Sequence, residues 1–310
     1  MTGFPGPTGS IVFRNRDLPA LFHHTDSTAI SHQREAVGST KLQLLLLVLG
    51  AAASALPASA KAGDSIQLSG VLAVLAYAGV LLVGYRAGRR SAKSHWQLNR
   101  SAAEFIKSLC WRYAVHGAPF TTTATASDEL FANRLEEGLR ELVKVGWEDP
   151  RTGRTPTANG EMITAAMRRL RAESFSIRKE TYVRDRLIEQ RNWYRRRTAN
   201  SRRATRLWSL SIGLLTLAAL FLSLLHTFSL VDSLPVTGAL SAAAAGSLAW
   251  GEVRRHQPLI AAHSLVEEDL AAMHTAMESS VTEAQWPSAV YETERIVSPQ
   301  HTDWLARHRS

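Results

Sequence analysis

Four long stretches of this chain carry no Asp, Glu, Lys or Arg, and they come in two closely spaced pairs. The first run is Leu42–Ala60, nineteen residues (LQLLLLVLGAAASALPASA), and the second is Ser65–Tyr85. Lys61, Gly63 and Asp64 lie between them. The third run is Leu207–Val231 and the fourth is Leu234–Gly251, parted only by Asp232 and Ser233. A helix needs about 20 apolar residues to cross a hydrocarbon core of about 30 Å. Links this short force antiparallel hairpins. The sequence therefore predicts an all-α membrane protein with two transmembrane helical hairpins, four spans in all, and helical cytoplasmic regions. Pro235 falls at the first turn of the fourth run, where its missing N–H costs nothing. That run is alanine-rich and near the lower length limit.

Charge sets the expected orientation. Arg34, Lys41, Arg86, Arg89, Arg90 and Lys93 flank the first pair. Arg195, Arg196, Arg197, Arg202, Arg203, Arg206, Arg254 and Arg255 flank the second. The turns carry Lys61, Asp64 and Asp232. Positive flanks stay inside, so both chain ends are expected in the cytoplasm of a multi-pass plasma-membrane protein. Tyr85, Trp208 and Trp250 sit near run ends, where aromatic rings favour the interface.

The net charge of +9 is local. Arg168–Arg206 holds fourteen Lys and Arg against four Asp and Glu, a surplus of ten. A nucleic-acid patch is the poorer reading of this block, because it ends against an apolar run. The single cysteine, Cys110, permits no intrachain disulfide and suits a cytosolic setting for the polar parts. The first apolar run begins too far from the start for a cleaved signal, so it is expected to stay as an anchor.

Mean hydropathy is only −0.10, so a substantial water-exposed part is expected. Apolar residues recur at helical spacing at Ile163, Ala166, Met167 and Leu170, at Val266, Leu270, Met273 and Met277, and at Val290, Val297, His301 and Trp304. Such stripes predict amphipathic helices that pack on one another. A polar arm, helical over about Asp17–Lys41, precedes the first run. The expected organisation is a flexible tail over 1–14, a first module over 15–150, a linker over 151–160 and a second module over 161–310. Each module reads as polar helix, hairpin, polar helix.

No P-loop, GxGxxG, HExxH or GxSxG occurs, and no convergent catalytic set is proposed. No catalytic residue, cofactor or metal site is expected; the His23–His24 pair is read as exposed and inert. Charge-free spans disfavour an ion-coupled carrier. Small residues recur at four-residue spacing at Gly50, Ser54 and Ala58, and at Gly238, Ala242 and Gly246. They allow close helix approach. Hydroxyls such as Ser223 either bond back to their own helix or line a water path in an oligomer.

Three cytoplasmic segments have a recognisable look. The first, WQLNRSAAEFIKSLCWRYAVHGAPF, contains Trp96, Arg100, Glu104, Lys107, Trp111, Arg112 and Tyr113. The second, before the second hairpin, contains Arg171, Arg178, Tyr182, Arg186, Gln190, Trp193 and Tyr194. The third is the E…H..W ending of Glu294, His301 and Trp304. Together they resemble the SLATT families, the SMODS- and SLOG-associating two-transmembrane effector domains. The first half is similar to the WRY-bearing subtype and the second to the E…H..W subtype. The resemblance implies a bacterial anti-phage effector that oligomerises with itself and permeabilises the membrane through a gated pore. It implies a nucleotide second messenger, or a nucleotide-sensing partner protein, as activator. Membrane lipids are the remaining expected partner. A non-conducting scaffold or sensor that binds proteins through its cytoplasmic helices is the alternative.

Overall fold

The structure is a computed structural model that describes residues 11–55, 61–62, 66–90, 92–121, 124–152, 160–228, 236–254 and 256–297. Both hairpin-turn sites at Gly63–Asp64 and Asp232–Ser233, most of the 151–160 linker, Ala58, His301 and Trp304 lie outside the described residues.

Helices dominate. They are α1 (Ala20–Ser54), α2 (Leu68–Arg90), α3 (Ala92–Ala114), α4 (Ala124–Lys144), α5 (Ala165–Ala172), α6 (Phe175–Tyr182), α7 (Glu189–Thr227), α8 (Val236–Arg254), α9 (His256–Ser279) and α10 (Trp286–Val297). A 3-10 turn, Asn15–Asp17, precedes α1, and a π-helical turn, Val183–Ile188, joins α6 to α7. Two two-residue strands, β1 (Lys61–Ala62) and β2 (Ile66–Gln67), pair antiparallel between α1 and α2, with Lys61 opposite Gln67.

The polar arm and the first apolar run form one 35-residue helix, α1. No proline interrupts the stretch, and its one interior glycine in the arm, Gly38, sits in open space. A helix once nucleated propagates through such a sequence. In the same way the basic segment and the third apolar run are one 39-residue helix, α7.

Among the described residues, three helical stretches are long and apolar enough to cross a membrane: Ala20–Ser54, Leu68–Ala114 and Phe175–Thr227. α8, at nineteen residues, is not among them. Its four consecutive alanines contribute little hydropathy compared with the leucines of α7.

The chain folds as two compact units, and each collects segments from both halves of the sequence. One takes the chain up to His32, then Ser94–Arg196 and the part from His263 onward. Its core is aromatic and dense: Phe13, Leu21, Trp111, Tyr113, Phe120, Phe131, Tyr182 and Trp286 are all buried. Helical periodicity delivers them. On α3, Leu98, Ala102, Ile106, Leu109 and Tyr113 recur every three or four residues and all are buried; on α4, Phe131, Leu135, Leu139 and Leu142 do the same. Met167 and Leu170 of α5, Leu270 and Met277 of α9, and Val290 and Val297 of α10 complete the core, as their spacing predicts. Each such side chain contributes about 1.5–3 kcal/mol by leaving water. Edge-to-face contacts tie the aromatics: Trp111 to Phe13 at 4.7 Å and to Tyr182 at 5.7 Å, and Tyr182 to Trp286 at 5.6 Å.

The other unit comprises Gln33–Lys93 and Arg197–Ala262. α1 and α2 pack antiparallel within it. A Cβ on Gly50 would lie 2.9 Å from the Tyr77 ring, and one on Gly79 would lie 3.1 Å from Leu46. α8 packs against α1: a Cβ on Gly246 would meet Val48 at 2.7 Å, and one on Gly238 would meet Ala55 at 3.6 Å. Most of this unit's leucines are exposed, Leu81, Leu210, Leu214 and Leu217 each by more than 60%. A helix that shows leucine all round is suited to lipid rather than water.

Candidate functional site

The densest chemistry lies in the first unit, where α3, the π-helical turn and α10 meet in a buried network of charges. α3 supplies Arg100, Glu104 and Lys107, whose spacing of four and three residues puts them on one face. The π turn supplies Arg186, and α10 supplies Glu294. Arg186 is 1% exposed and Glu294 2%. They form a bidentate pair, with Nε donating to Oε1 at 2.9 Å and Nη2 to Oε2 at 2.7 Å. The Tyr182 hydroxyl donates to the same Oε1 at 2.9 Å. Arg100 pairs with Glu104 and reaches Asp26 of α1 at 3.1 Å.

Burial works against the charges of Glu104, Lys107 and Arg186, and their neighbours decide which survive. Burial pushes Lys107 down to about 8; the nearby Arg186 charge adds to that, and Glu104 only partly opposes it. Burial also resists ionisation of Glu104, but the charges of Arg100, Lys107 and Arg186 prevail and hold its carboxyl below the usual range. Arg186 is likewise penalised by burial, yet Glu294 keeps it protonated beyond its ordinary strength. The Tyr182 phenol is held neutral, first by burial and then by Glu294. Arg186 retains one buried nitrogen, Nη1, without a hydrogen-bond partner. π turns are rare and often mark functional positions; this one carries the buried arginine.

A second polar cluster flanks the first. Arg112 donates to the Ala118 carbonyl at 2.7 Å and stacks over Tyr291 at 4.8 Å. The Tyr113 hydroxyl bonds Asp128, which also pairs with Arg168. Arg171 is buried and donates to the carbonyls of Tyr113, at 2.6 Å, and Phe120, at 3.2 Å, and to the Ser127 hydroxyl at 2.7 Å. Arg178 donates to the Glu173 carbonyl at 2.6 Å. The front of the basic block is thus consumed by internal contacts. Tyr194 donates to the Val297 carbonyl at 3.2 Å. Trp193 is 42% exposed and meets Tyr194 edge-on at 4.9 Å. Trp96 and Gln190 are half-buried.

Of the sequence-marked residues, Arg100 and Glu104 pair within the first half, Tyr182 and Glu294 within the second, and the edge-on contact of Trp111 with Tyr182 joins the halves. Sequence reasoning singled out Arg171 and Arg186 in the second segment but missed Asp26 and Asp128, the acidic partners of Arg100 and Arg168, as members. The π turn has no signature in the sequence.

The span residues lie elsewhere, in the second unit. Gly50 faces Tyr77, Gly238 faces Ala55 and Gly246 faces Val48. Ala242 lies on α8, one turn from both of its glycines. The hydroxyls of Ser54 and Ser223 donate to the carbonyls of Gly50 and Ala219, each at 2.8 Å. Cys110 is fully buried, and burial pushes its thiol up, which makes it a poor nucleophile. Among the described residues no three His, Cys, Asp or Glu side chains are grouped to hold a metal ion. What the network does chemically is hold charges against one another, which fixes three helices in register.

Apolar helices of membrane-crossing length, continuous with a polar helical core, define a helical membrane protein. The chain belongs to the SMODS and SLOG-associating 2TM effector domains, or SLATT. The model of effector domain 3 matches residues 19–179, and that of effector domain 1 matches residues 182–304. SLATT domains are membrane-associated effectors of conflict systems. No curated protein and no solved structure matches the chain. The buried network draws Arg100, Glu104 and Lys107 from the first matched region and Tyr182, Arg186 and Glu294 from the second.

Proposed function

We propose that the protein is a gated, pore-forming effector of a bacterial anti-phage system, acting as a homo-oligomer in the plasma membrane. Four spans, α1, α2, α7 and α8, cross the bilayer, with both chain ends in the cytoplasm. The observation that carries this reading is the unbroken continuity of α1 and α7. Each runs from residues buried in the polar core (Leu21 and Phe22, or Tyr194) into an exposed apolar segment. A rearrangement of the core is then a rearrangement of the spans. Cations support the topology: Arg86 and Arg89 end α2, Arg202, Arg203 and Arg206 precede the apolar part of α7, and Arg254 ends α8. Arg89 lies over Tyr85 and Arg254 over Trp250, both at 5.7 Å, which suits the headgroup level. A nucleotide second messenger, or a protein that senses one, is the proposed activator.

Proteoliposomes loaded with a self-quenched dye test this. Dye release on adding a candidate nucleotide, and silence without it, is the expected result. Vesicles that stay tight with every candidate, together with undisturbed membrane potential in expressing cells, would count against a pore.

One observation favours a second reading, a non-conducting scaffold or sensor. The small faces of α1 and α8 are spent on contacts within the chain, and the hydroxyls of Ser54 and Ser223 are spent on their own helices. Recovery of partner proteins with the intact chain, without any conductance, would favour it.

A further inference from the structure

Within the second unit, α1, α2 and α8 do not close completely on one another. They leave a crevice of about 570 Å³, lined by Leu46, Leu49, Ala52, Ala53, Leu72, Leu75, Ala76, Val236 and Ala239. Every lining side chain is a hydrocarbon. Alanine lines it on all three helices, and α1 and α2 add leucines. The volume lies within the range of about 300–1,000 Å³ typical of small-molecule sites.

The crevice has a definite depth. Ala53 is the penultimate residue of α1, Leu72 lies one turn into α2, and Val236 is the first residue of α8. It therefore lies toward the C-terminal end of α1 and the N-terminal ends of α2 and α8, away from the arginines that end α2 and α8. At 1.5 Å per residue, the lining runs about 10 Å along α1, from Leu46 to Ala53, and about 6 Å along α2, from Leu72 to Ala76. The longer of these is about two-thirds of one leaflet of acyl chains in a core of about 30 Å.

We propose that this crevice is a binding site for one acyl chain of a membrane phospholipid, taken from the leaflet on the turn side. Three observations favour this occupant over a helix of a second copy. A neighbouring helix is about 10 Å across and does not enter a slot of about 570 Å³ between three helices. No lining residue offers a polar group, so the site selects the tail and not the headgroup. The two helices that form most of the wall are apolar and largely uncovered, which makes lipid the medium at the mouth. The proposal needs α8 to lie in the bilayer beside α1 and α2; it does not need conduction.

The test uses the full chain in phosphatidylcholine vesicles doped with a phosphatidylcholine that carries a diazirine on one acyl chain. Photolysis followed by peptide mapping reads where the lipid sits. Adducts are expected on Leu46–Ala53 and Leu72–Ala76, and also on the exposed Leu214–Leu224 face of α7. After exhaustive detergent exchange before photolysis, the crevice adducts should persist while the α7 adducts fall at least fivefold. Ala53→Leu with Ala239→Leu, which fills the slot, should cut crevice adducts at least fivefold and leave the α7 adducts of the vesicle sample unchanged. Crevice adducts that wash away with those on α7, or links between two copies at the crevice residues, would overturn the proposal. The wash arm decides it even if the filled variant fails to fold. Dye release is measured separately on the same vesicles, so a failed pore and an empty crevice are distinguishable.

Discussion

Arg186 and Glu294 are each almost wholly out of water, so each depends on the other. Breaking such a pair strands a buried charge and costs about 3–5 kcal/mol. Glu294→Ala should therefore lower the thermal stability of the purified chain sharply, with Arg186 the stranded partner. Arg186→Met combined with Glu294→Leu should cost less than either single change, and a double-mutant cycle measures the difference. Lys107 gives a pH signature. Its folded-state value of about 8 lies below the usual lysine value of 10.5, so the unfolded chain holds more protons between those limits. Stability should rise from about pH 8 towards pH 10 by about 2–3 kcal/mol and stay flat just below pH 8. Lys107→Met should remove that rise in a thermal-unfolding series. His116 acts at the acid end. Burial, with help from Arg171 and Arg178, lowers it to about 4, so stability should fall as pH drops from about 6.5 towards 4. His116→Gln should blunt that fall.

At the scale of elements, close approach of helices sets the tolerances. A Cβ on Gly138 of α4 would run into the Phe105 ring of α3. Gly138→Ala is expected to destabilise the polar core by about 1–3 kcal/mol, although alanine is the better helix former. In the other unit, Gly246→Leu should separate α8 from Val48 of α1, whereas Gly251→Leu, in open space, should not. Cross-linking between cysteines placed at positions 55 and 238, where a Cβ on Gly238 would lie 3.6 Å from that of Ala55, reads the difference. Element types were legible from the sequence, because apolar periodicity and uncharged length survive without tertiary information. The buried faces of α5, α9 and α10 lie where their stripes predict. Less legible was the fusion of the polar arm with the first span, and of the basic segment with the third. Arm and span read as separate stretches in the sequence, but helix continuity needs only the absence of a breaker.

At the scale of the whole molecule, the two SLATT regions do not form two cores. Trp286 of the second donates its indole N–H to the Val115 carbonyl of the first at 2.7 Å. Ala118 of the first donates its backbone N–H to the Pro287 carbonyl of the second at 3.0 Å. Residues 1–160 expressed alone should lack a protected core, and co-expression with residues 161–310 should restore it. Amide hydrogen exchange on α3 checks this, since slow exchange in the isolated first half would contradict a shared core.

The sequence by itself determined the apolar spans, the cationic flanks, the helical class and the family, because each rests on local composition or on motifs contiguous in the chain. It also marked Trp111, Tyr113, Tyr182 and Glu294 as worth attention. Only the tertiary structure decided that these residues meet, that Arg186 joins them from a π turn, and that the front of the basic block is spent on internal partners. Tyr182 and Glu294 stand 112 residues apart, yet share a hydrogen bond. The physical reason is that burial and charge pairing depend on which surfaces the fold brings together. Neither hydropathy nor spacing along one helix carries that information.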